Sequence, residues 1–85
     1  MEVFVLTYLC DPANDESWVS VQGVFKSLDD ARVKMGSNYK ECYDSLGITS
    51  EELGNFTAAV DTGERECSIW LDGERHVWSI TEEEL

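Results

Sequence analysis

One stretch of the chain fits a long helix. After Ser27, apolar residues recur at Leu28, Ala31, Met35, Tyr39, Cys42 and Leu46, in steps of three and four. That spacing puts them on one face of an α-helix. Ser27 is placed to cap the first free amides, and Asp29 and Asp30 sit in the first turn, where the helix dipole favours acids. Gly47 ends the element, and Gly36 weakens its middle by about 1 kcal/mol. Arg32, Lys34, Lys40, Glu41 and Asp44 lie off the stripe. A helix with one apolar stripe needs one apolar surface to lie on. In 85 residues only the flanking segments can supply it, and these read as strands. The chain is therefore constrained to an α+β fold, a helix packed on one face of an antiparallel sheet.

Val3 to Leu9 reads as the first strand, apolar on both alternating sets, so it is expected in the sheet interior and covered at least in part on both faces. Asp11 to Glu16 is a polar loop. Trp18 to Phe25 is the second strand and the simplest antiparallel partner of the first. Strict alternation places Val19, Val21, Gly23 and Phe25 on one face, with Trp18, Ser20, Gln22 and Val24 on the other. After the long helix, Thr49 with Glu52 forms a capping box for a second helix of one or two turns, ended by Gly54-Asn55. Residues 56–60 allow an extra short strand. Glu66–Leu71 and Arg75–Thr81, joined by Asp72-Gly73, are the clearest hairpin, since Asp-Gly favours a type I′ turn. Cys67, Ile69 and Leu71 share one face of its first arm, and Trp78 and Ile80 one face of its second. The expectation is a single domain over residues 1–85 with about four strands in ββαββ order, one long helix on one face and residues 82–85 as a solvated acidic tail.

Eighteen acidic residues against six basic ones give a formal net charge of -12. Duplex binding depends on Lys and Arg neutralising phosphates, so direct nucleic-acid binding is excluded, and the same sign opposes anionic membranes. No apolar run approaches the roughly 18 residues of a membrane span, and Glu2 stands where a signal peptide needs basic residues. The expected location is the cytoplasm. Cys10, Cys42 and Cys67 are widely spaced and His76 is the single histidine. A zinc site wants about four clustered ligands, so no metal and no cofactor is expected, and the cysteines read as buried apolar side chains; a cysteine-dependent redox or metal role, which needs at least two of them close in space, is the remaining alternative. His76, at the start of a hairpin arm, reads as a surface or sheet-edge residue. The carboxylate pairs Asp29-Asp30 and Glu51-Glu52 are explained by capping, and no glycine-rich phosphate loop occurs. The chain reads as non-enzymatic, with no catalytic residues.

Two surfaces remain as candidates for binding. Asp61, Glu64, Glu66, Asp72, Glu74 and the tail acids Glu82, Glu83 and Glu84 are expected to line one continuous acidic edge, with Glu64 and Glu66 on one face of their arm. Such an edge suits a basic protein surface, as on a nucleic-acid-binding enzyme, with Trp70 as an aromatic anchor. The second surface is the sheet face the long helix leaves bare, where Trp18, Val24 and Trp70 are expected to gather. An uncovered aromatic patch marks an interaction site, and a homodimer through it is the alternative.

Gly23-Val24-Phe25-Lys26-Ser27-Leu28-Asp29-Asp30-Ala31 resembles the strand-to-helix join of a loose group of small bacterial and phage proteins, written G-V-F-x-S-x-x-x-A. Trp78-Ser79-Ile80-Thr81-Glu82 resembles their closing strand. The two stretches cover under a fifth of the chain, and the group carries no catalytic residues to transfer. In size and charge the chain is similar to anti-CRISPR proteins and DNA mimics. The resemblance implies an inhibitor that occupies a basic, nucleic-acid-binding surface.

Overall fold

The computed structural model describes residues 1–13 and 15–85. Asn14, within the loop expected at residues 11–16, lies outside the described residues. The elements run β1 (Glu2–Asp11), β2 (Trp18–Phe25), α1 (Leu28–Leu46), α2 (Ser50–Gly54), β3 (Ala58–Thr62), β4 (Glu66–Leu71) and β5 (Glu74–Glu84). The fold is α+β, with a sheet of five strands rather than about four. The order is β2-β1-β5-β4-β3, and every neighbouring pair is antiparallel. The extra strand falls at residues 58–62, two later than the sequence placed it. The α2 turn and Thr57 take up the start of that stretch, and the Thr57 carbonyl accepts from the Asp72 amide.

The helix caps form as the residues dictate. Ser27 Oγ accepts from the Asp30 amide, and Gly47 closes α1 in the left-handed region. The Thr49–Glu52 capping box of α2 is complete in both directions. In the β4–β5 turn, Asp72 and Gly73 both have positive φ, 48° and 88°, as a type I′ turn requires.

Cross-strand pairing sorts side chains into two faces. Toward α1 point Phe4, Leu6, Tyr8 and Cys10 of β1, His76, Trp78 and Ile80 of β5, and Cys67 and Ile69 of β4. The stripe residues Ala31 and Met35 close over them, flanked by Leu28, Tyr39, Cys42 and Leu46. Leu6 and Ile69 are fully enclosed, each stabilising the fold by roughly 1.5–3 kcal/mol.

Strict alternation fails in β2. Leu6 pairs with Gly23 but Thr7 pairs with Val21, so the register shifts at Gln22. This β-bulge exchanges faces for everything beyond it. Phe25 therefore shares the helix face with Trp18 and Ser20, while Val24 joins Val19 and Val21 opposite. The bulge also turns Gln22 toward α1, where its side chain accepts from Asn38. Gly23 leaves room for the neighbouring ring, since a Cβ there would come within 2.7 Å of Phe25.

One further expectation changes. Residues 82–84 are not a free tail. They extend β5 and pair with Phe4, Val3 and Glu2 of β1, although their side chains are exposed. β1 is an interior strand covered in part on both faces, as expected: on the face away from α1, Val3 is buried and Val5, Thr7 and Leu9 are half-buried. Among the described residues no helix is long and apolar enough to cross a membrane.

Candidate functional site

The bare face is the first of two candidate sites. Pairing lays Val24 beside Val5, Val21 beside Thr7, and Val19 beside Leu9, which is itself next to Val77. Val19, Val21 and Val24 are 63%, 62% and 58% exposed. Edge strand β2 thus presents an aliphatic strip to solvent, beside the half-buried Val5, Thr7 and Leu9 of β1. Trp70, half-exposed, stands on the same face beside Ala59 and Arg75. Arg75 reaches Asp11 at 3.7 Å. Trp18 does not belong to this patch. It lies on the helix side of β2, its ring edge-on to Tyr8 at 5.2 Å, because the bulge separates its face from that of Val24.

The acids do not form one edge. Asp61 and Glu66 share the bare face at the β3–β4 side, Asp61 opposite Ser68 and Glu66 opposite Ser79. Glu64 is not on the β4 arm at all; it lies in the bend before the strand. Asp72 and Glu74 are at the far end of β4, six residues along, or roughly 17–20 Å away. There they border a hollow with Asp15 and Glu52. Glu82, Glu83 and Glu84 lie along the end of β5 beside the start of β1, and only Glu83 projects to the bare face. The negative charge is spread over both ends of the sheet.

The second candidate was not read from the sequence. His76 is neither a surface nor an edge residue. It lies in the middle strand, 6% exposed, directly opposite Cys10 of β1 and Ile69 of β4. Its parity with Trp78 and Ile80 was the signal for an inward side chain. His76 Nε2 faces Glu74 Oε1 at 3.1 Å, and Nδ1 shares a hydrogen bond with the Tyr8 hydroxyl. A carboxylate oxygen only accepts, so Nε2–H donates to Glu74, and in a neutral ring Nδ1 accepts from Tyr8. The rings of Tyr8, His76 and Trp78 stack against one another. Burial holds the Tyr8 hydroxyl well above its ordinary pKa, reinforced by the hydrogen bond and charge of Cys10, then by Cys42 and Glu74. Burial likewise pushes the Cys42 thiol up, helped by the charges of Glu74 and Cys10.

Cys10, Glu74 and His76 each offer a ligand atom within 4.8 Å of the others. The cysteines are therefore not simply dispersed: strand pairing sets Cys10 beside the histidine. Next to this group a cleft of about 430 Å³ opens between the C-terminal half of α1 and the sheet, bordered by Tyr8, Gln22, Asn38, Cys42, His76 and Trp78.

No protein-family model matches the chain, and no curated protein or solved structure shows significant similarity to it.

Proposed function

We propose that this is a non-enzymatic binding protein that docks through the bare face of its sheet onto a basic partner surface, of the kind that nucleic-acid-binding enzymes present. The exposed aliphatic strip of Val19, Val21 and Val24 carries this reading. A contiguous apolar patch bordered by polar groups is the form an interaction site takes. Asp61 and Glu66 on the same face supply the polar side. With a net charge of -12, encounter with a basic surface is steered electrostatically. The same charge opposes pairing of two copies, which makes the homodimer the second reading.

Affinity capture from bacterial lysate at low and high salt tests this, run with the natural sequence and with Val21→Glu. A basic protein retained at low salt, weakened at high salt and lost with Val21→Glu is the expected result. A salt-tolerant dimer abolished by Val21→Glu would replace this reading with the homodimer. Capture that survives both Val21→Glu and Asp61→Lys would overturn the assignment of the bare face.

A further inference from the structure

The covered face carries a separate chemistry. Cys10 and His76 are cross-strand partners in two interior strands, so their side chains rise side by side from one rigid surface. Glu74 is two residues from His76 on the same strand, which returns it to the same face. A thiol, an imidazole and a carboxylate thus converge from a paired backbone rather than from loops.

We propose that Cys10, Glu74 and His76 form a binding site for a divalent transition-metal ion of the zinc class. Bonds of about 2.0–2.1 Å to nitrogen and oxygen at a tetrahedral angle set two such ligand atoms about 3.3 Å apart. His76 Nε2 and Glu74 Oε1 already stand at 3.1 Å, with one proton between them. An ion replacing that proton needs little movement from either group, and the Cys10 sulfur is within 4.8 Å of both. Nδ1 then carries the ring proton and donates to Tyr8, the outer hydrogen bond that orients a ligating imidazole. The ligand set selects the ion. Thiolate and imidazole suit zinc and cobalt, whereas magnesium and calcium require oxygen ligands. Three protein ligands leave a fourth position, and Cys42 lines the cleft beside His76.

Titration of the reduced protein with Co²⁺ tests the site. The expected result is one equivalent bound, with the visible bands of tetrahedral cobalt and a thiolate charge-transfer band, both displaced by Zn²⁺ and unaffected by Mg²⁺. Cys10→Ser removes the charge-transfer band, and Glu74→Gln weakens binding at least about tenfold. Tyr8→Phe weakens it by a similar or smaller factor, through the ring's orientation. Glu74 is partly exposed, so its variant decides the matter even where a buried substitution impairs folding. No tetrahedral cobalt spectrum at one equivalent, or a spectrum unchanged by both Cys10→Ser and Glu74→Gln, would sink the proposal. The site lies on the face opposite the docking strip, so either result leaves the docking reading standing or falling on its own test.

Discussion

Leu6 and Val21 stand on adjoining strands and meet opposite conditions. Leu6, under α1, is fully enclosed, while Val21, on the reverse of the sheet, is 62% exposed. Both faces are rich in apolar residues, but one helix stripe can cover only one of them. The covered face therefore carries most of the stability of the fold, Val3 being the buried residue on the reverse, and the exposed valines of β2 are free to carry an interaction. A side chain's contribution here is set less by its type than by which way the pleat turns it.

The sharpest way to break that contrast is to truncate each face in turn. Leu6→Ala is expected to lower unfolding free energy by about 2–5 kcal/mol. Val21→Ala should stay within about 0.5 kcal/mol. Urea unfolding of the two variants measures both, and equal losses would mean that the bare face is covered in solution. A smaller effect is expected at the bulge that assigns residues to faces. Gly23→Ala places a methyl against the Phe25 ring, an overpacking that costs about 1–3 kcal/mol. An unchanged unfolding midpoint would show that the ring moves aside freely.

The mildest test uses pH. Tyr8, Tyr39 and Cys42 all have raised pKa values in the fold, burial being the largest cause for each. The unfolded chain then loses these protons first, near pH 8.5 for a thiol and about 10 for a phenol. Stability is full below those values and declines as pH rises past them. Unfolding midpoints measured between neutral pH and about pH 10.5 should fall, and a flat profile would show these groups to be solvated. Tyr8→Phe should flatten part of the decline.

Local signals accounted for most of the fold. The α1 stripe, the Ser27 and Thr49 caps and the Asp72-Gly73 turn each depend on residues a few positions apart, and each forms as read. What escaped the sequence depends on pairing across distance. The Gln22 bulge answers to the register between two strands, and the local sign beside it, the isolated Gly23, does not by itself fix that register. His76 read as an edge residue because a hairpin alone gives β5 one neighbour. Only the pairing of β5 with β1 gives it a second, bringing Tyr8 against a ring 68 residues away in the chain. Glu82, Glu83 and Glu84 read as a tail because acids are poor strand formers, yet the start of β1 holds them in the ladder. The aromatic gathering expected on the bare face failed for the same reason as the register: one inserted residue moved Trp18 away from Val24 and Trp70.

The position of β5 also sets the order in which the molecule can assemble. It is the middle strand of the sheet and the final element in chain order. The β1–β2 hairpin and the β3–β4 pair are local and can close early, but they share no strand until β5 enters between them. The register from Glu2–Glu84 to Asp11–Arg75 joins residues 82 to 64 positions apart. Loop closure of that length must precede the contacts that reward it, which places folding toward the slow end for a domain of this size. Until then β1 presents an unpaired apolar edge, so the interval before β5 docks is when the chain is most exposed to aggregation.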